Sequence, residues 1–205
     1  IEKVQEEMER AKLNAELAFL KNQISPHFFF NTLNNIYSLS SSGPEDARTA
    51  ILKLSKMMRY LIYESEDGDT KLSNEIELIT NYIDLMKLRL EEKYNLRVTL
   101  PEKYEDYRMP PLLFIPFIEN AFKHGVSFRE DSFIDISLAA SDKKILFRTF
   151  NGITVSTDKT GLESSGIGLN NVRKRLDLLF PGKHTLQLIK TESTFEVLLK
   201  IDLTA

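Results

Sequence analysis

The sequence predicts an α+β protein in two parts, an all-helical region over residues 1–94 and an α/β sandwich over residues 95–205. Two patterns and one ratio predict it. Apolar residues recur at spacings of three and four as far as about Glu92, and after Tyr94 the pattern turns into short β-like runs broken by two helical stretches. At 42% hydrophobic and 28% charged, a chain of 205 residues can bury real cores, which excludes disorder and collagen-like repetition.

In the first 24 residues Ile1, Val4, Met8 and Ala11 lie at helical spacing, followed by Leu13, Leu17, Leu20 and Ile24 on a shifted stripe. That is a helix with a narrow apolar seam, which packs either on its own domain or against a second copy in parallel. The shift resembles a coiled-coil discontinuity. Next, Ser42-Gly43-Pro44 is a turn signal between two helical stretches and predicts a helical hairpin. Its second helix carries Ala50, Leu54, Met57, Met58, Leu61 and Ile62 on one side. A third helix takes Ser73 as its cap and places Ile76, Ile79, Ile83, Met86 and Leu90 on one stripe, ending near Glu92.

The β-like runs cover residues 96–100, 134–139, 145–150, 185–189 and 195–201, with helices near 111–125 and 168–180. No Gly/Ser-rich linker marks the boundary near residue 94, so a short hinge is expected there.

Composition closes off several kinds of chemistry. With 27 Lys+Arg against 30 Asp+Glu the formal charge is −3, without the basic excess of a nucleic-acid binder. There is no cysteine, hence no disulfide, no thiolate catalysis and no Cys-ligated zinc, and three histidines leave few metal sites. No apolar run reaches the roughly 18–20 residues that span a bilayer, and the opening IEKVQEEMERAK is too charged for a signal peptide. The start at Ile1 reads as a piece of a longer protein.

Three segments carry candidate chemistry. Pro26-His27-Phe28-Phe29-Phe30-Asn31 sets one imidazole beside a proline and three aromatics, with a kink expected at the preceding turn. Such a histidine is either a buried structural side chain or a neutral nucleophile able to accept a phosphoryl group. In Phe117-Ile118-Glu119-Asn120-Ala121-Phe122-Lys123-His124-Gly125, Asn120 and Lys123 share a helix face. An Asn oxygen is a hard ligand suited to Mg²⁺, and a Lys one turn away neutralises phosphate charge. Finally, Gly161 to Arg173 reads as a Gly/Ser-rich loop running into a helix, whose free N–H groups would cradle phosphates. It matches neither the dinucleotide fingerprint nor the P-loop.

Together and in this order, QISPHFFFNTLNNI, MMRYLIYES, NYIDLMKLRLEEKY, PLLFIPFIENAFKHG and SGIGLNNVRKRLDLLFPGKH resemble the LytS-like sensor histidine kinases over roughly residues 13–203. The resemblance implies a helical dimerisation and phosphoacceptor region followed by a Bergerat (GHKL-type) ATP-binding domain. It makes His27 the phosphoacceptor, Asn120 the Mg²⁺ ligand, Lys123 and His124 polar partners of the nucleotide, and Gly166-Ile167-Gly168-Leu169 the phosphate-side glycine box. ATP and Mg²⁺ are the implied cofactors. A homodimer, a response-regulator aspartate and an upstream sensor or membrane segment are the implied partners, with no nucleic acid. The chain would then be the cytoplasmic portion of an inner-membrane protein.

The sequence departs from the wider superfamily at Thr149-Phe150-Asn151-Gly152, where an Asp-x-Gly-x-Gly box would bind the adenine amino group. Alignment on Gly152 puts Phe150 in the Asp slot, whereas strand alternation puts Asn151 on the face of Ile145 and Phe147, opposite Arg148; Asn151 is favoured, with Gly152 beside it. An amide acceptor should bind more weakly than a carboxylate. Ser193-Thr194 stands in place of a Gly-Thr pair, making Thr194 a candidate for supporting the adenine indirectly, behind the residue that binds it. Pro116 occupies the position of the water-activating Glu of related ATPases, which disfavours hydrolysis. Phe28 replaces the acidic neighbour of other phosphoaccepting histidines, and Asn31, one turn on, is the candidate for positioning. The reading is autophosphorylation of His27 and transfer to an aspartate; the alternative is a degenerate nucleotide-binding dimerisation module without kinase activity.

Overall fold

The computed structural model describes residues 26–64, 69–88, 95–125, 132–153 and 162–204. The expected N-terminal helix with its seam of Leu13, Leu17, Leu20 and Ile24 lies outside them. The chain divides into two compact units, Ile1–Arg89 with Arg108–Leu112, and Leu90–Tyr107 with Leu113–Ala205.

In the first unit α1 (Pro26–Ser42) and α2 (Pro44–Arg59) are separated by Gly43 alone. Pro44 takes the first helical position, where its missing N–H costs nothing and its fixed φ suits the turn. Glu45 and Asp46 in the first turn of α2, with Lys56 and Arg59 in the last, match the helix dipole. The helix runs into a π-helical turn, Tyr60–Glu64, followed by the short strand β1 (Thr70–Lys71) and by α3 (Leu72–Lys87). Lys53 pairs with Asp84, Lys56 with Glu77 and Tyr60 with Glu75, so α2 and α3 run antiparallel. Phe28, at the start of α1, stacks on Tyr82 of α3 with ring centroids 4.7 Å apart. Because Tyr82 lies beside the Lys53–Asp84 level, α1 folds back along α2, forming the hairpin that the turn signal predicts.

Two details of this unit differ from the sequence expectation. Extended Lys71 precedes α3, so Ser73 lies inside the first turn and does not cap it; Thr70 instead accepts a bond from the Asn74 amide, 3.2 Å. The helix is described to Lys87, and the expected extension through Leu90 to Glu92 lies outside the described residues. On α2 the buried arc is Ala47, Ala50, Leu54 and Met57, while Met58 is 45% exposed. The arc is centred near Ala50 and Met57, which leaves Ile51 and Met58 at its edge. The strand β3 (Arg108–Met109) pairs antiparallel with β1 and brings Met109 to full burial.

The second unit is a five-stranded sheet in the order β2-β4-β5-β7-β6, with β2 (Asn95–Thr99), β4 (Phe133–Ser141), β5 (Lys144–Gly152), β6 (His184–Lys190) and β7 (Thr194–Asp202). Only the β2–β4 pair is parallel. The helices α4 (Ile115–Gly125) and α5 (Leu162–Leu179) complete it. One sheet face is buried through Ile134, Ile136, Leu138, Ile145, Phe147, Val197, Leu199 and Ile201. Phe114 and Phe117 pack on Phe147 at 4.8 and 5.9 Å between centroids, which seats α4 on β5. The β4–β5 turn uses Asp142 and Lys143, both at positive φ, in a hairpin role usually given to Asn-Gly. This α/β layer agrees with the expected class, and each β-like run becomes a strand within one to two residues of its expected ends.

Helix α5 is the larger correction. It begins at Leu162, not near Gly168, so the segment expected to be a glycine-rich loop is already helical. Gly166, Ile167, Gly168 and Leu169 sit past the first turn, where backbone N–H groups close intrahelical bonds, and Leu169 is buried.

Candidate functional site

His27 is the second residue of α1, directly after the proline that opens the helix, and Asn31 follows one turn later, half-buried. The three phenylalanines that follow His27 point to different sides of the helix: Phe28 is buried, Phe29 half-buried and Phe30 68% exposed. Consecutive residues on a helix are about 100° apart, so this run was never one aromatic face.

The second cluster lies in the other unit, on the C-terminal half of α4 and the end of β5. Pro116 is tolerated because it falls in the first turn of α4. Glu119, Asn120 and His124 are half-buried and Lys123 is exposed. Burial holds the Glu119 carboxyl above its ordinary range, with Lys123 pulling the other way. Burial, then the charges of Lys123 and Lys190, hold His124 below its ordinary value, so its ring is neutral near pH 7. Lys190, at the end of β6, therefore belongs to this cluster, and nothing in its sequence neighbourhood marked it.

Beneath α4, Asn151 is completely buried. It lies on the face of Ile145, Phe147 and Thr149, as strand alternation predicts. Phe150 is on the opposite face, with Arg148 over its ring at 4.8 Å and Glu196 on Arg148 at 2.6 Å. The Asn151 Nδ2 donates to the Gly152 carbonyl at 2.7 Å, and its Oδ1 accepts nothing. Thr149 Oγ1, two residues earlier on the same face, is likewise buried without a bond. Two orphaned polar atoms under one helix are costly unless a ligand or water satisfies them. A Cβ added at Gly125 would come within 2.8 Å of Asn151 Cβ and 3.0 Å of Ile134, so only glycine lets the end of α4 lie this close to the amide.

Thr194 is placed differently from its expected role. It pairs with Gly152 in register, which turns it to the face opposite Asn151, and its hydroxyl bonds Thr191 Oγ1 at 2.7 Å. Thr149 is the threonine beside the amide, a residue the alternation rule could have found. Gly152 is not crowded, since an added Cβ would meet only ordinary contacts, the nearest at 3.5 Å.

The residues present fit an adenine nucleotide: the Asn151 oxygen is a buried acceptor without a protein donor, and an exocyclic amino group is such a donor. For a metal the chain offers less. Among the described residues no three of His, Asp and Glu gather to hold an ion. A Mg²⁺ at Asn120 would take one amide oxygen from the chain and its remaining ligands from phosphates and water.

The histidine kinase family model matches residues 15–94. The chain is 33% identical over 193 residues to the sensor histidine kinase/phosphatase LytS of Staphylococcus aureus, covering 88% of this chain and 33% of that protein. It thus spans about a third of the length of the curated relatives it matches. Among solved structures, the Acinetobacter baumannii histidine kinase AdeS aligns over 98% of both chains with a TM-score of 0.48 and 16% identity. The histidine kinase domain of the blue-light activated histidine kinase of Erythrobacter litoralis aligns over 94% of this chain and 96% of that one, with a TM-score of 0.47 and 16% identity.

Proposed function

Because the chain belongs to the histidine kinase family, in its LytS-like branch, we propose that it is the catalytic core of a two-component sensor that phosphorylates itself on His27. ATP is the substrate, taken up between α4 and the end of β5. The observation that carries this reading is the buried, donor-less oxygen of Asn151 beside Thr149 and under the polar end of α4. Asn151 reads the adenine amino group, and Lys123 sets a positive charge toward the phosphates. His124, held neutral, offers a hydrogen bond without adding charge. Asn120 holds Mg²⁺, which when bound neutralises phosphate charge.

In the transfer step a lone pair on the His27 ring attacks the γ-phosphorus, the bond to the β–γ bridging oxygen breaks, ADP departs, and the ring proton passes to solvent. Asn31 is the positioning candidate for the ring. The phosphoryl group then moves to an aspartate of a response regulator. Residue Pro116 offers no base for water, which supports transfer over hydrolysis.

The same proposal includes a homodimer, a signal arriving through the segment before Pro26, and a membrane-borne sensory part of the longer protein. No described helix is long and apolar enough to cross a membrane. A dimer finds support in α1 and α2, where Phe30, Leu33 and Tyr37 are 68%, 51% and 80% exposed and Ile51 and Met58 are 51% and 45% exposed. Ala50, Leu54 and Met57, from the apolar stripe of α2, are already buried within one chain and are not available to a second copy.

The second reading, a nucleotide-binding dimerisation module without transfer, is favoured by the helical glycine segment and by an amide where the superfamily carries an acid. Incubation with γ-labelled ATP separates the two. Acid-labile, alkali-stable label that disappears in His27→Gln supports the kinase; bound nucleotide without protein label supports the module.

A further inference from the structure

Glu75 has no part in the chemistry above, yet its side chain is completely buried in the first turn of α3. Its Oε1 accepts two bonds, from the Tyr60 hydroxyl at 2.5 Å and from the Leu112 backbone N–H at 2.8 Å. Tyr60 opens the π-helical turn at the end of α2, and its hydroxyl also bonds Thr70. Leu112 is buried and has φ of 60°, a left-handed backbone that a leucine adopts only when its surroundings impose it. The chain passes from the first unit into the second after Leu112, and α4, which carries Asn120, opens three residues later.

A buried carboxylate costs far more than an apolar residue of the same size unless its bonds are strong. Here they are charge-assisted, and the positive end of α3 lies next to it. The N–H it fixes belongs to the one described residue at the joint that is strained. The other partner on the same oxygen sits in a π turn, an irregular element that can return to α-helical register by moving one residue's worth of rotation.

We propose that Glu75 is a positioning residue for the phosphoryl transfer: it holds Leu112, three residues before α4, in its left-handed form, and Tyr60 reports the state of the π turn to the same oxygen. A shift of Tyr60–Glu64 to α-helical register withdraws the tyrosine hydroxyl, leaves the carboxylate short of a donor and loosens the grip on Leu112. This inference rests on the kinase reading.

The test uses the full chain with Glu75→Met, Glu75→Gln and Tyr60→Phe. Three quantities are read: amide hydrogen exchange at Leu112, Mg-ATP affinity, and the rate of His27 labelling at saturating ATP. In Glu75→Met, which keeps the volume and deletes the acceptor, exchange at Leu112 rises about tenfold and the labelling rate falls about fivefold, with ATP affinity within about twofold of wild type. Glu75→Gln retains an acceptor and restores most of both; Tyr60→Phe moves both the same way by less. If Glu75→Met does not fold, Tyr60→Phe decides. Unchanged exchange and rate in Tyr60→Phe, or parallel loss of rate, affinity and melting temperature in Glu75→Met, overturns the positioning role. A wild-type chain that takes no label overturns the kinase reading as well, whereas label in wild type that no variant alters overturns the positioning role alone.

Discussion

At the scale of single residues, Asn151 separates affinity from stability. Asn151→Asp supplies an ionised acceptor and should tighten ATP binding by about fivefold, near 1 kcal/mol, without tightening GTP. The same change loses the bond to the Gly152 carbonyl and sets two acceptors together where 2.7 Å now separates donor from acceptor. The free protein should therefore melt lower while the ATP complex gains. Calorimetry with both nucleotides checks this, with Phe150→Asp as the control on the opposite face; an unchanged ATP-to-GTP preference in Asn151→Asp and Asn151→Ala would show that this amide does not read the base. His124 gives a pH signature. Its folded pKa lies below the unfolded value of about 6.5, so the unfolded chain binds more protons there and the folded state loses stability as pH falls below that value. Urea midpoints at pH 7 and pH 5 should drop more in wild type than in His124→Gln. Glu119, held above its ordinary range, has the opposite slope nearer its own unfolded pKa, so the comparison belongs to the variant difference and not to the raw curve.

At the scale of elements, α5 and α1 each make a prediction. Two glycines past the first turn of α5 weaken the helix by roughly 0.5–1 kcal/mol each relative to alanine. That weakness is useful if the segment opens onto phosphate, and Gly166→Ala should then reduce ATP affinity about threefold while raising helical stability. Equal affinity in the variant would assign the phosphate contacts elsewhere. On α1, Phe30, Leu33 and Tyr37 recur at three and four residues and all face outward. Leu33→Asp should weaken self-association about tenfold or more, read by sedimentation near 100 micromolar. A wild-type chain that is monomeric there would make this stripe something other than a dimer face.

For the whole molecule, His27, the proposed phosphoacceptor, and the proposed nucleotide residues fall in different compact units. His27→Gln should therefore abolish label while leaving ATP affinity within about twofold of wild type. A parallel loss of affinity or of folding in that variant would make His27 structural.

Local chemistry was enough to determine much of this protein. Pro44 beside Gly43, apolar spacing along α3 and alternation from Ile145 to Asn151 each bias a few neighbouring residues through sterics and period, so helices, strands and the facing of Asn151 were legible without contacts. The wrong details share one cause. The cap at Ser73, the exposure of Met58, the helical start at Leu162 and the turning of Thr194 away from Asn151 depend on which neighbour is available to a backbone group or side chain. Spacing along the chain cannot supply that neighbour. Tertiary structure alone decided that Asn151 Oδ1 and Thr149 Oγ1 are left without a bond beneath α4, that Lys190 acts on His124, and that Glu75 grips Leu112 from 37 residues away. In each of these the partner is distant in sequence, and the energy that selects it, desolvation offset by one hydrogen bond or one charge, exists only after the elements have packed.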